Sequence, residues 1–208
     1  NANRGWPVGA KGINIALEGF DGENKKIGIS DTFWYLLDGR TLKLGGKGDF
    51  PYTGYDSNCA TMGNLGFSHA SWYGDRASIV TVDVAEDVTS LDYLNLTNLY
   101  NCDDIYLRNP DITLKDGAVC GYAGDQNGKL TLHLYKSAYD KKSSTWYITN
   151  GKTGATSSQY PDPEISYSFL EAEDFETKYT DLWSLGVSLT DDLKDKIKAA
   201  YTEYQAMD

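Results

Sequence analysis

The sequence predicts a mainly β fold: an antiparallel β-sandwich, jelly-roll-like, with one α-helix at its C-terminus. Three observations lead there. Short runs alternate strictly between apolar and polar residues, the period of a strand with one buried face. The chain carries 16 Tyr, 5 Trp and 21 Gly in 208 residues, a composition suited to pleated surfaces joined by tight turns. Only the last stretch places its apolar residues at helical spacing.

The alternating runs come at the intervals of a sandwich rather than between long helical patterns. In Ile79-Val-Thr-Val-Asp-Val84 the valines at 80, 82 and 84 share one side. In Lys129-Leu-Thr-Leu-His-Leu-Tyr135 the leucines at 130, 132 and 134 face a core, and Thr131 and His133 face away. Ile165, Tyr167 and Phe169 repeat the pattern, and Ser144–Thr149, Ile27–Leu37 and Ile13–Leu17 read as further strands. Between the runs, Asp38-Gly39, Asp116-Gly117 and Asn127-Gly128 are dipeptides that accept left-handed backbone. Leu91-Asp-Tyr-Leu94-Asn-Leu96-Thr-Asn-Leu99 has the spacing of a leucine-rich repeat. It occurs once, and a solenoid needs several copies to bury a continuous core, so the expectation stays with the sandwich.

From Thr190 onward Leu193, Ile197, Ala200, Tyr201 and Tyr204 mark one helical face, with Thr190 as the cap. The expected organisation is one domain over residues 1–208, with a helix over 190–207 packed on the sheet. A shorter helical turn is expected over Leu170–Phe175.

Composition bounds the function. The formal charge is −11, from 19 basic and 30 acidic residues, and it argues against nucleic acid, whose phosphates require a basic footprint. No apolar run reaches the ~20 residues that span a bilayer. The chain opens at Asn1-Ala-Asn-Arg-Gly-Trp without Met or leader, as a processed or truncated exported protein would. An extracellular or surface-anchored location follows as the expectation. Cys59, Cys102 and Cys120 match no zinc or redox spacing. They read either as free buried thiols or as one Cys102–Cys120 disulfide with a leftover thiol. Asn95-Leu-Thr97 is a glycosylation sequon.

Catalytic signatures are sparse. The two histidines, His69 and His133, have no nucleophile motif near them, and His133 reads as a surface or hydrogen-bonded residue. A carboxylate pair would suffice for a glycosidase, with Glu18 and Glu86 the first residues to test. No cofactor is expected, although calcium has oxygen ligands on offer in Asn101–Asp104, Asn109–Asp111 and Asp125–Gly128. The richest stretch interleaves aromatic and polar side chains: Tyr52, Tyr55, Asp56, His69, Trp72, Tyr73, Asp75 and Arg76. Aromatic faces stack on sugars or planar rings while neighbouring charges bond to polar edges. The expected activity is non-catalytic capture of a glycan or other small nutrient through these loops. A carbohydrate-active hydrolase and a structural or adhesive protein that docks a surface partner are the alternatives.

Gly19-Phe-Asp-Gly22, Leu91–Tyr100 ahead of Gly128–Tyr135, and Asp181-Leu-Trp-Ser-Leu-Gly186 give the chain a style that resembles the secreted jelly-roll domains of Bacteroidota surface lipoproteins. The resemblance implies a jelly-roll fold and a role in capture at the cell surface, with the ligand left open. It assigns no functional residue.

Overall fold

The structure is a computed structural model that describes residues 11–12, 33–51, 72–121, 128–148, 163–183 and 190–207. The chain divides into two compact units, Asn1–Ser168 and Phe169–Asp208.

The first unit holds three sheets. Its strands are β1 (Lys11–Gly12), β2 (Trp34–Asp38), β3 (Thr41–Gly45), β4 (Gly48–Asp49), β5 (Thr81–Val84), β6 (Val88–Leu91) and β7 (Leu96–Thr97). They continue as β8 (Asp104–Leu107), β9 (Thr113–Leu114), β10 (Val119–Cys120), β11 (Lys129–Leu134), β12 (Tyr147–Ile148) and β13 (Glu164–Phe169). The main sheet runs β1-β2-β3-β5-β8-β11-β13, a second sheet runs β4-β6-β9, and a third runs β12-β10-β7. β1, β2 and β3 pair antiparallel. The pairings β3–β5, β5–β8 and β8–β11 are parallel, as are those within the two small sheets.

Successive strands thus visit three sheets in turn and then repeat. Val82 faces Ile105, Ser90 faces Thr113 and Leu96 faces Val119, an offset of 23 positions in each sheet. The corners obey the same offset. Leu94 and Asn98 have φ of 62° and 54°, and their counterparts Gly117 and Gly121 have 64° and 86°. This is a stack of coils, in which β5-β6-β7 and β8-β9-β10 each contribute one strand to each sheet. In the next coil a short helix, α1 (Lys136–Lys141), stands between β11 and β12 in place of a second-sheet strand and lies against β9.

The expected antiparallel, jelly-roll-like sandwich is therefore corrected to a mixed α/β fold with mostly parallel sheets. Alternation reports that one face of a strand is buried and says nothing of strand direction. Asp116-Gly117 turns a corner between the second and third sheets, where it would otherwise pass for a hairpin turn. The run Leu91–Leu99, set aside because it occurs once, is one side of a coil. Leu91, Leu94, Leu96 and Leu99 are all buried. The copies that stack on it use other residues at the same positions: Leu114 answers Leu91 and Val119 answers Leu96.

The core lies inside the coils. Val82, Val84, Ile105, Leu107, Leu132 and Leu134 enter it from the main sheet, Val88 and Ile112 from the second side, and Leu96 and Val119 from the third. Fully burying such a side chain stabilises by about 1.5–3 kcal/mol. Aromatic rings close the stack at both ends. Phe33 meets Phe50 at 5.2 Å and Tyr35 meets Trp72 at 5.3 Å beside the first coil. Tyr139 meets Tyr167 at 4.8 Å and Trp146 meets Tyr147 at 5.8 Å beside the last. Tyr35, Tyr139, Tyr147, Tyr167, Trp72 and Trp146 thus serve in end-capping. Trp34 lies across Gly45, its direct partner on β3, where any Cβ would meet the indole.

Buried polar groups at the corners are satisfied. Asn95 accepts the Asp92 N–H at 2.6 Å and donates to the Pro51 carbonyl at 2.9 Å. Its side chain is wholly buried, so the Asn95-Leu-Thr97 sequon is closed to glycosylation in the folded chain. Asn109 likewise donates to the Val88 carbonyl at 3.0 Å.

The second unit contains α2 (Leu170–Lys178), a 3-10 turn (Thr180–Trp183) and α3 (Asp191–Ala206). α2 extends the short helical turn expected at Leu170. α3 forms where the apolar spacing predicts it, and the Thr190 hydroxyl accepts the Leu193 N–H at 3.2 Å. Asp181 binds Lys196, and Glu203 takes the Tyr179 hydroxyl at 2.7 Å together with the Lys178 ammonium. The Lys178 bond first, then the Tyr179 bond, holds the Glu203 carboxyl below the usual carboxylate range.

The repeated corner yields a stability prediction. Gly121 is left-handed, and a Cβ there would come within 2.2 Å of the Asn98 side-chain oxygen. Gly121→Ala is expected to lose at least about 1–2 kcal/mol from the left-handed backbone alone. Gly74, with open space around it, is the control, and Gly74→Ala should stay within about 0.5 kcal/mol of the parent. Urea denaturation of the two variants checks both values.

Candidate functional site

Parallel strands whose inner residues fill a core must present their alternate residues outward. On the main sheet one such row crosses four adjacent strands: Lys43 on β3 faces Asp83 on β5, which faces Tyr106 on β8, which faces His133 on β11. The inward neighbours Val82, Ile105 and Leu132 are fully buried, so the row is held on a rigid floor.

Its side chains are linked. The Tyr106 and His133 rings stack with centroids 4.0 Å apart and planes 8° from parallel. The His133 Nε2 lies 2.7 Å from Asp104 Oδ1. An ionised carboxylate only accepts, so Nε2 carries the proton and the ring orientation is fixed. Beside them the Arg108 guanidinium stands 4.6 Å from the Tyr106 centroid and donates through Nε to Asp83 at 3.0 Å. The result is a chain of contacts, Asp83–Arg108–Tyr106–His133–Asp104, in which each group is positioned by the next. Thr131 and Ser166 continue the polar surface toward β13 through a 3.1 Å hydroxyl contact. Arg108 and Asp104 keep 41% and 35% of their side-chain surface, whereas His133 keeps 12%. The charged tips therefore meet solvent, while the imidazole supports them.

Away from this face, Lys115 reaches Asp92 at 3.1 Å and Asp49 at 3.9 Å. Asp92 and Lys115 hold equivalent positions in successive coils, so this pair braces the stack. The Thr89 hydroxyl, then Ser90, lowers the Asp49 carboxyl, with Lys115 adding to the effect.

The expected aromatic-loop site is only partly within the described residues. Tyr52, Tyr55, Asp56 and His69 lie outside them, as do Glu18 and the side chain of Tyr73. Trp72 is in the core, 2% exposed, with Tyr35 and Phe50 around its indole. Asp75 ends the 3-10 turn Tyr73–Asp75 with its side chain exposed. Its backbone carbonyl takes the Ser78 hydroxyl at 2.8 Å. Arg76 lies half-buried, with its guanidinium 5.5 Å from the centre of the Tyr100 ring. Glu86 is exposed at the turn between β5 and β6. Sequence reasoning placed His133 correctly on the outward face but missed its partners. The signal was present as Thr81-Val-Asp-Val84, Asp104-Ile-Tyr-Leu107 and Thr131-Leu-His-Leu134, three outward–inward tetrads that stack only when the strands are parallel.

Metal and redox chemistry find no assembled centre among the described residues. No group of three or more His, Cys, Asp and Glu could hold an ion there. Some of the oxygens expected to suit calcium have protein partners: Asn109 accepts the Asp111 N–H at 2.8 Å, Asp104 lies 2.7 Å from the His133 Nε2, and Asp111 binds Lys141. Residues 125–127 lie outside the described set. The alternative of a Cys102–Cys120 disulfide is corrected: both are buried and no bond joins them, and Cys59 lies outside the described residues. Cys102 is a corner residue of the coil and Cys120 a strand residue on the third side, so each fills core volume. Burial, first of all, pushes the Cys102 thiol well up, and neighbouring Asp103 adds to the shift.

Two consequences follow for Cys102. Burial closes access to both thiols and also suppresses the Cys102 thiolate, so Cys102 and Cys120 should resist iodoacetamide in the native protein and alkylate on unfolding, as read by peptide mass spectrometry. Because the folded pKa is raised above the ordinary value of 9.0, the unfolded chain releases this proton first as pH rises. Cys102 then subtracts stability above about pH 9, with a slope near 1.4 kcal/mol per pH unit. Stability measured from pH 8 to 10 should therefore fall less steeply in Cys102→Ala than in the parent. No protein-family model, curated protein or solved structure matches this chain.

Proposed function

We propose that this chain is a non-catalytic ligand-binding domain that takes a glycan or comparable small nutrient against the outer face of its main sheet. The observation that supports it most is the linked set Asp83–Arg108–Tyr106–His133–Asp104 on a floor of buried strands. Aromatic edges, a guanidinium and two carboxylates offer apolar contact together with donors and acceptors for hydroxyl groups. Because these groups already hold one another, little side-chain freedom remains to be lost on binding. Arg108 binds Asp83 and His133 hydrogen-bonds Asp104, so both carboxylates are already engaged and the patch suits a neutral, hydroxyl-bearing ligand on an otherwise acidic chain. In this reading the domain works outside the cell or at its surface.

A hydrolase has less support. A glycosidase acid needs a pKa raised toward neutrality. Among the described residues the carboxyls that depart from the ordinary range, Asp49, Asp181 and Glu203, are lowered by hydroxyls and lysines, and none of them belongs to the linked set.

A thermal-shift panel of neutral polysaccharides should raise the melting temperature of the parent with at least one of them. Tyr106→Ala and Arg108→Ala should then each weaken that binding about tenfold or more, measured by titration calorimetry, with Asp75→Ala unchanged. Loss with Tyr55→Ala but not with Tyr106→Ala would move the site to the loop expected from sequence. Turnover of chromogenic glycosides would sink the binding reading altogether.

A further inference from the structure

The second unit carries a surface unlike that of the first. Among the described residues, the exposed large hydrophobics are Phe169, Ile197, Tyr201, Tyr204 and Met207, and every one lies in Phe169–Asp208. Four of them, Ile197, Tyr201, Tyr204 and Met207, line an open groove of about 530 Å³ with Phe175 and Leu182 on its other side. Ile197, Tyr201 and Tyr204 are spaced i, i+4, i+7 along α3, so they form one stripe. An apolar groove between two helices, with aromatic anchors, is the shape that receives an amphipathic helix.

Charge selects the occupant. The α2 side is acidic, with Glu171, Glu173, Asp174 and Glu176 against the single Lys178, and the Lys178 ammonium is engaged by Glu203. Glu176 lines the groove itself and, with Glu173, a neighbouring hollow. α3 opens on Asp191 and Asp192, and its three lysines, Lys194, Lys196 and Lys198, are taken up by Asp191, Asp181 and Asp195. A second copy of this chain, at −11, would bring like charge to the same rim, and an anionic lipid surface would be repelled as well. We infer that this groove is a docking site for a basic amphipathic segment of a partner polypeptide. Its apolar face would cover Ile197, Tyr201 and Tyr204, and its Lys or Arg residues would meet Glu173 and Glu176. The groove belongs to the second unit and the proposed ligand face to the first, and the two proposals can fail or hold independently.

The test uses the full chain and a fluorescein-labelled Leu/Lys amphipathic peptide of about five helical turns, with a Leu/Glu peptide of the same pattern as its counterpart. Fluorescence anisotropy should show micromolar binding of the Leu/Lys peptide and none of the Leu/Glu peptide. Ile197→Asp should weaken it about tenfold or more, although the variant is more acidic than the parent. Glu176→Lys should weaken it severalfold. Ile197 and Tyr201 are 44% and 62% exposed, so Ile197→Asp and Tyr201→Ala should keep the parent's circular dichroism. If Ile197→Asp unfolds, Tyr201→Ala carries the same expectation. Three results overturn the proposal. One is binding of the peptide to the Ile197→Asp variant as tight as to the parent, which is charge attraction alone. Another is no binding by the parent. The third is a dimer in light scattering that Ile197→Asp abolishes, making a second copy the occupant.

Discussion

The parallel backbone pairing between successive coils is the constraint on which the rest of the first unit depends. It holds one offset in three separate sheets, Val82 to Ile105, Ser90 to Thr113 and Leu96 to Val119. A strand shifted by one residue would turn its core side chains to solvent. In this stack such a shift would have to be made in all three sheets together, so the register is strongly specified. The left-handed corners at Leu94, Asn98, Gly117 and Gly121 belong to the same constraint. Leucine adopts that backbone at an energetic cost, which burial of its side chain in the coil offsets.

The register also creates the candidate site. Tyr106 and His133 are 27 positions apart in the chain, and the parallel pairing of β8 with β11 makes them direct neighbours. Arg108 and Asp83 meet because β5 and β8 are adjacent. None of these contacts is local, and the set as a whole depends on the parallel register. The stack supplies rigidity beneath the patch and aromatic closure at its ends.

This explains what could and could not be read from the chain. Local features were legible. Alternation located β5 and β11 and assigned the inward faces of Leu130, Leu132 and Leu134, and Thr190 was identified as a cap. Strand direction was not legible, because alternation is identical in parallel and antiparallel sheets with one buried face. The repeat was hidden because its positions are degenerate. Leu94 and Asn98 in one coil become Gly117 and Gly121 in the next, preserving backbone conformation while erasing side-chain similarity. The site was missed for the same reason, since Asp83, Tyr106 and His133 look unrelated until the coils are aligned. Trp72 misled in the opposite direction: its polar neighbours suggested a binding loop, while the indole belongs to the aromatic closure of the core.

The acidic charge acquires two meanings in the two units. In the first, carboxylates such as Asp83, Asp92 and Asp104 are engaged with Arg108, Lys115 and His133. In the second they border an apolar groove. The account stands or falls on the coil register, and interstrand nuclear Overhauser contacts of the backbone test it most directly. It predicts parallel-strand contacts linking Val82 with Ile105, Ser90 with Thr113 and Leu96 with Val119, all in one spectrum. Close Hα–Hα contacts typical of antiparallel pairs between these strands, or an offset that differs from sheet to sheet, would contradict it.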